Sequence, residues 1–147
     1  MKRLILLLLF TGLISACSNN EDITEHSYQF IGEGQYWEAE LKYEAEEIKG
    51  KDANNVNTYS SEDEYNFKLT YKGDLEELVP MKQLDYEFKL GPTGGGNSSE
   101  TFDEPVSVKE FTSRGGGTGS IMREDMVVSV EVKWDDNKES FELVVKK

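Results

Sequence analysis

The sequence predicts an all-β fold: an antiparallel β-sandwich of immunoglobulin-like character, with a small β-barrel as the alternative. Several short segments alternate apolar and polar residues with a period of two, which places one face of each segment in a core and the other in solvent. Polar and glycine-rich stretches separate these segments, and no long stretch has the helical period. Alternation alone does not distinguish a closed barrel from two packed sheets, so both architectures remain open.

Six strands follow from this alternation. The first, residues 37–45, has Trp, Ala, Leu, Tyr and Ala at every second position, with glutamate or lysine between them. Further short strands are expected around residues 28–31 and at Ile48. The six strands are predicted at residues 37–45, 65–71, 84–90, 106–111, 126–134 and 141–145. The side chains expected in the core are Leu41, Phe67, Leu69, Phe88, Val130, Val132 and Phe141.

One connection is predicted to contain a single helical turn over residues 75–78. Asp74 stands at the N-cap position, and Glu77 is spaced as the reciprocal partner of a capping box. Pro80 then ends the turn. Such a turn suits a connection that crosses from one sheet to the other.

Long polar loops are predicted at residues 49–63, 91–103 and 114–120. The last two contain the glycine tracts 94–96 and 115–117, which lack both the Lys-Ser/Thr pair of a P-loop and the spacing of a dinucleotide fingerprint. We therefore expect flexible loops that contact a ligand. In a sandwich of consecutive hairpins these two loops lie at opposite ends.

The first 16 residues have the three regions of a secretory signal peptide. Lys2 and Arg3 precede the apolar residues 4–10, and small residues follow at 11–16. The apolar run is far shorter than the about 20 residues that a membrane-spanning helix needs. The sequence therefore predicts export and cleavage.

Residues 13–17, Leu-Ile-Ser-Ala-Cys, resemble the lipobox of bacterial lipoproteins. The resemblance implies that Cys17 becomes the lipidated N-terminus, anchored on the outer face of the cell membrane in an envelope of Gram-positive type. As the only cysteine, it leaves no intramolecular disulfide. The expected organisation is a signal peptide at 1–16, a lipidated cysteine with a flexible tether at 17–29, and a single β-domain at 30–147.

A wider resemblance covers most of the mature chain. Residues 65–75, together with 32–37 and the closing segments 130–134 and 141–143, are similar to small lipoproteins of Bacillus and related Firmicutes. The resemblance implies an extracytoplasmic location and one compact β-domain. It supplies no activity and no catalytic residues.

The charge of the chain limits its partners. The formal net charge is -13, and loss of Lys2 and Arg3 with the signal peptide makes it -15. Such a surface repels polyanions, so we expect no nucleic-acid binding. The expected partners are the membrane, through lipid on Cys17, and a cationic or neutral envelope ligand or protein.

Few residues offer catalytic or metal chemistry. His26 is the only histidine and falls in the expected tether, which leaves no histidine-based triad and no common zinc site. Most carboxylates alternate outward from strands, although a hydrolytic pair remains open. The best local calcium cluster is Asp135, Asp136 and Asn137, which also suits a tight turn. No cofactor is expected.

Four further residues are candidates for ligand binding. Arg114 and Arg123 are the charged anchors expected near the loops, because the chain after Cys17 has no other arginine. Trp37 and Trp134 lie in alternating strands, so they form either a core aromatic pair or a platform for a sugar or peptide.

The favoured function is a non-catalytic binding or interaction domain on a membrane-anchored lipoprotein. A tethered β-domain without a catalytic set is an ordinary design for recognition. The alternatives are a carboxylate-based hydrolase of the cell envelope and a calcium-stabilised structural envelope protein.

Overall fold

The structure is a computed structural model and describes residues 21–91 and 94–147. The predicted signal peptide and Cys17 lie outside the described residues, so cleavage and lipidation stay predictions. Within the described part of the chain, no helix is both long and apolar enough to cross a membrane.

The predicted all-β fold is confirmed. Five of the six predicted strands are present, whereas the one expected at residues 106–111 overlaps only the first two residues of a later strand. The elements are β1 (Asp22–Glu33), β2 (Trp37–Lys51), β3 (Asn57–Tyr71), α1 (Leu75–Leu78), β4 (Gln83–Leu90), β5 (Gly94–Thr101), β6 (Glu110–Thr118), β7 (Val128–Trp134) and β8 (Asn137–Val145).

All eight strands belong to one antiparallel sheet with the order β5-β4-β7-β8-β1-β2-β3-β6. The two four-stranded halves join where Phe30 and Ile31 of β1 pair with Val145 and Val144 of β8. The edge strands β5 and β6 approach each other on the opposite side, so the sheet is nearly closed. This arrangement is consistent with either a sandwich or a small barrel, and we call it the barrel below.

The helical turn lies where the sequence predicts it, and it carries the chain from β3 in one half to β4 in the other. The predicted capping box is wrong. Asp74 makes no side-chain cap hydrogen bond, and the Glu77 carboxylate instead accepts a 2.6 Å hydrogen bond from the Tyr71 hydroxyl. The Tyr71 hydroxyl thus binds the Glu77 carboxylate in place of the backbone N–H of Asp74 that a capping box would use.

The core fills the space between the two halves of the sheet. Six of the seven predicted core residues are buried, and Phe141 is half-buried against them. At one end of the barrel, which we call the far end, Trp37 is fully buried with its ring 5.1 Å from Tyr71 and 5.7 Å from Trp134. Large aromatic side chains close this end.

The expected tether is shorter than the sequence indicates. Residues 22–29 belong to β1 and pair continuously with β2, from Asp22 opposite Lys49 onwards. Residues 22–27 have weak alternation, so no strand was expected there. Backbone hydrogen bonds to β2 and the packing of Tyr28 beside Tyr43 hold the segment in the sheet.

The three predicted loops are largely strands as well. Residues 49–63 form the end of the β2–β3 hairpin, while 94–101 are β5 and 114–118 end β6. Glycine has no side chain, so a glycine-rich strand shows no alternation. The expectation of opposite ends is also wrong, because the start of β5 and the end of β6 both line one cavity.

Candidate ligand cavity

A cavity of about 1410 Å³ occupies the end of the barrel opposite the tryptophans. Here β1, β2 and β3 extend beyond their neighbours: the pairing with β8 ends at Phe30 of β1, and the pairing with β6 ends at Glu62 of β3. The inner face of this three-stranded extension forms one wall. The cavity therefore continues the barrel interior.

The chemistry of the inner face changes along the strands. Because side chains alternate, every second residue of each strand faces inwards, and register partners form rungs across the sheet. The side chains are apolar in the core. Tyrosines form the next rung towards the cavity, and the rung after that includes a histidine and an aspartate. From the core outwards, the rungs are Phe30 with Leu41 and Phe67, then Tyr28 with Tyr43 and Tyr65, then His26 with Ala45 and Asp63.

His26 joins a hydrogen-bonded cluster in this cavity. Its Nε2 lies 3.2 Å from Glu47 Oε2, and its Nδ1 lies 3.2 Å from the Tyr28 hydroxyl. The Tyr59 hydroxyl donates to the other Glu47 oxygen at 3.0 Å. These hydrogen bonds, first from His26 and then from Tyr59, lower the pKa of Glu47. His26, expected in a flexible tether without a fixed partner, is thus a fixed part of the cavity wall.

A second pair lies beside this cluster. The Tyr43 hydroxyl donates to Asp63 Oδ2 at 2.9 Å and accepts from the backbone N–H of Met122 at 3.0 Å. Burial raises the pKa of Tyr43, and the Asp63 carboxylate raises it further. The phenol therefore remains protonated and fixes the Asp63 carboxylate at the cavity wall.

Residues 119–127, between β6 and β7, cover part of the cavity, and we call this segment the cover loop. Within this loop, Met122 is buried. Gly119, with a φ of 115° that favours glycine, starts the loop. Its carbonyl accepts from Ser61 Oγ at 2.5 Å, and its N–H donates to the same atom at 3.2 Å. Ser61 is the only buried polar residue among those described. Its two hydrogen bonds with Gly119 hold the start of the loop in place.

The glycine tracts form the opposite wall, where β5 and β6 face each other. The Tyr65 ring occupies the space that side chains at two of these positions, 96 and 115, would fill. Its hydroxyl lies 3.4 Å from the Gly95 carbonyl oxygen, and a Cβ on Gly96 or Gly115 would come within 2.8 or 2.5 Å of the same hydroxyl oxygen. The glycines thus make room for Tyr65, which the sequence did not indicate.

The structure separates the four residues predicted to bind ligand. Arg123 is exposed in the cover loop and lines the cavity. Arg114 is the register partner of Asn66 on the outer face of β6. Trp37 is fully buried and Trp134 half-buried at the far end, where they form the core aromatic pair rather than a platform. Only Arg123 belongs to the cavity.

The calcium candidates form the β7–β8 turn. Asp135 has a φ of 48°, and its carboxylate accepts backbone N–H groups from Lys82 at 2.9 Å and Gln83 at 3.1 Å. Asn137 donates to the carbonyl of Trp134 at 3.3 Å. Across the described residues, no group of three or more His, Cys, Asp or Glu side chains has the geometry of a metal site. The positions of Asp135 and Asn137 are therefore explained by the tight turn rather than by calcium binding.

Acidic groups outnumber basic ones around the cavity. Its carboxylates come from Glu47, Asp63, Glu124 and Asp125, whereas Arg123 and Lys147 supply the permanent positive charges. Phenols with raised pKa values add neutral hydrogen-bonding groups. The cavity therefore has an excess of negative charge and several neutral hydroxyl groups on its wall.

Comparisons of the chain with protein-family models, curated proteins and solved structures found no significant match.

Proposed function

We propose that this chain is an extracytoplasmic lipoprotein, anchored by lipid on Cys17, whose barrel binds a neutral or cationic ligand in its cavity. The observation that carries the binding proposal is the cavity of about 1410 Å³ lined by tyrosines, carboxylates and glycine strands. Pockets for small molecules are typically about 300–1,000 Å³. This larger space suits a segment of a chain molecule, such as an oligosaccharide or a peptide.

The lining suits such a ligand chemically. Tyrosine rings offer flat surfaces for stacking, and their hydroxyls exchange hydrogen bonds with amino or hydroxyl groups. Hydrogen bonds keep Glu47 ionised by lowering its pKa, and a half-buried carboxylate attracts ammonium groups. The net charge of -15 on the mature chain adds a long-range preference against anions.

A carboxylate-based hydrolase is the second candidate, because Glu47 and Asp63 line the same cavity. Asp63 pairs with Ala45, two residues from Glu47 on the same face, so the two positions are diagonal neighbours about 7–8 Å apart. Inverting glycosidases use two carboxyl groups that lie on opposite sides of the bond they cleave. A general acid, however, needs a raised pKa, whereas that of Glu47 is lowered. This difference favours binding over hydrolysis.

The binding proposal is tested with three sugar tetramers of similar size and different charge: glucosamine (cationic), N-acetylglucosamine (neutral) and galacturonate (anionic). We expect isothermal titration calorimetry to detect the cationic or neutral tetramer and not the anionic one. Preference for the anionic tetramer, or binding of none, would contradict the proposal for glycans. Release of reducing ends from either bound tetramer, lost in Glu47→Gln, would favour the hydrolase instead.

The cavity itself is tested by filling it. Gly117 faces inwards, and a Cβ there would meet only Asp63 Oδ1, at 3.8 Å. Gly117→Leu therefore adds bulk to the cavity without a backbone clash, and we expect it to abolish binding. Thr112→Leu adds the same side chain to the outer face of β6 and is the matched control. Equal binding by the two variants would place the ligand elsewhere.

The anchor is tested separately. Cys17→Ser removes the acceptor thiol, so the exported protein should leave the membrane fraction and appear in the medium. Unchanged membrane partitioning of the variant would contradict the lipoprotein proposal without affecting the cavity.

A further inference from the structure

The three most exposed large hydrophobic side chains of the described residues lie at the same end of the barrel, with Ile23 on the outer face of the sheet and Tyr59 on the inner face. Val56 is 59% exposed, Ile23 58% and Tyr59 54%. They belong to the end of the three-stranded extension, residues 21–24 and 48–59, which we call the projecting end. Single exposed apolar residues are ordinary, but these come from β1, β3 and the turn between β2 and β3. The projecting end thus exposes three large apolar side chains among charged and polar neighbours such as Asp22 and Asp52.

The turn at this tip has a defined conformation. The Asp52 carboxylate accepts the backbone N–H groups of Asn54 and Val56, each at 2.9 Å. The Asp52 N–H donates to the Val56 carbonyl at 2.9 Å, and the Asn55 N–H donates to the Asp52 carbonyl at 2.9 Å. Five residues thus form a closed turn. Val56 is presented outwards by this turn.

The chain begins its first strand at the same tip. Asp22 pairs with Lys49, and a Cβ on Gly50 would lie 3.2 Å from Glu21 Cγ. Cys17 precedes Asp22 by five residues, and a chain of that length reaches at most about 18 Å. A lipid on Cys17 would therefore keep the projecting end within about 18 Å of the bilayer, whereas the far end lies at the other end of the barrel.

We propose that the projecting end rests on the bilayer, with Ile23 and Val56 among the lipid headgroups and Tyr59 beside them. The proposal rests on lipidation of Cys17, which is part of the proposed function. The Tyr59 hydroxyl is bound to Glu47 in the cavity wall, but its ring is 54% exposed, and aromatic rings are typical of the membrane interface. Lys51 is exposed at the same tip, where a lipid phosphate would meet it, whereas the Lys49 ammonium lies 4.0 Å from Glu47 Oε2.

Acidic residues limit the depth of contact. On the outer face, Glu25, Glu46 and Glu62 are register partners across β1, β2 and β3, immediately behind the tip. Burying these carboxylates in lipid would cost their hydration, and anionic lipids would repel them. The surface that fits the projecting end is therefore a largely zwitterionic bilayer, and the contact is shallow.

The test uses full-length lipidated protein, purified from membranes and reconstituted in phosphatidylcholine vesicles. Lipidation consumes the only natural thiol, so an introduced cysteine carries a unique fluorescent label. Val56→Cys labels the tip, and Asp136→Cys labels the β7–β8 turn at the far end as the matched control. Lipids with a nitroxide near the headgroup quench only labels at the bilayer surface.

We expect loss of fluorescence at position 56, little loss at position 136, and a smaller loss at position 56 when Ile23→Ser is added. Vesicle flotation first establishes that the protein is anchored. Floating protein with no quenching at position 56, or with equal quenching at both positions, overturns the orientation while the anchor stands. Failure to float overturns the anchor, and this proposal with it. Ligand binding in the cavity is measured independently of all these outcomes.

Discussion

Gly115 faces Tyr65 so closely that a Cβ on the glycine would lie 2.5 Å from the phenol oxygen and 2.7 Å from the adjoining ring carbon. The ring cannot move away freely, because it packs edge-on against Phe88 with centroids 5.3 Å apart. The glycine at position 115 is thus required by a neighbouring aromatic side chain rather than by a turn.

Gly115→Ala is therefore expected to destabilise the fold by about 1–3 kcal/mol, the usual range for overpacking. Gly117→Ala is the control on the same strand, since its Cβ meets only one atom, at 3.8 Å. It should leave stability unchanged or raise it by about 0.4–1 kcal/mol. Urea denaturation gives both free energies of unfolding. Equal effects of the two changes would contradict the role assigned to Tyr65.

Phe67→Ala should cost about 3–5 kcal/mol of unfolding free energy. Phe67 is fully buried, and its ring stacks on Phe88 at 4.1 Å and on Tyr86 at 5.6 Å. Phe141→Ala should cost clearly less, because Phe141 is half-buried at the margin of the same core. Chemical denaturation of the two variants checks the order. A larger loss for Phe141→Ala would place the centre of the core elsewhere.

Glu139→Ala should cost about 1–3 kcal/mol, the penalty for leaving hydrogen-bonding groups without partners. The Glu139 carboxylate accepts the backbone N–H groups of Gln35, Tyr36 and Trp37, the last at 3.0 Å. It thereby ties the β1–β2 turn to β8. Glu142→Ala, on the exposed face of the same strand, should change stability little. Thermal or urea melts that rank the pair the other way would contradict this anchoring role.

Stability should fall as the pH rises from about 10 to about 12, and Tyr71 should contribute to that fall. Its hydrogen bond to Glu77 raises the pKa of Tyr71 to about 12, from 10.0. The folded state thus holds this proton more tightly than the unfolded state, so the stabilisation is complete below about pH 10 and is lost as pH approaches 12. Tyr71→Phe should therefore show a shallower decline in urea-denaturation midpoints over this interval. An unchanged slope in the variant would contradict the raised pKa.

The sequence identified the parts of the fold whose side chains alternate. Residues 37–45 and 84–90 carry large apolar side chains at every second position, and both are strands. The β5 and β6 glycines gave no such pattern, and the reason for Gly96 and Gly115 is the Tyr65 ring, which is distant in sequence. Residues 22–27 were missed for a different reason, since their pairing with β2 is made by backbone groups.

The cavity was harder to predict than the fold. Arg123 was named as a candidate, but the cluster of His26, Glu47 and Tyr59 depends on strand register, which brings residues from three strands to one place. The one signal available was the inward alternation of Tyr28 with Phe30 and of Tyr43 with Leu41. Extending that alternation by one step would have placed His26 on the inner face.

The gap between the edge strands β5 and β6 is the place where the barrel can widen most easily. Over residues 21–91 and 94–147 the strand pairings include none between these two strands, so widening the barrel along this line breaks no rung of the sheet. The Tyr65 side chain lies between the two strands, in contact with glycines of both, and so sets the distance between them. Any widening of the barrel would therefore begin here, and the amides of β5 and β6 that face the gap should exchange their hydrogens with solvent sooner than those of the paired strands.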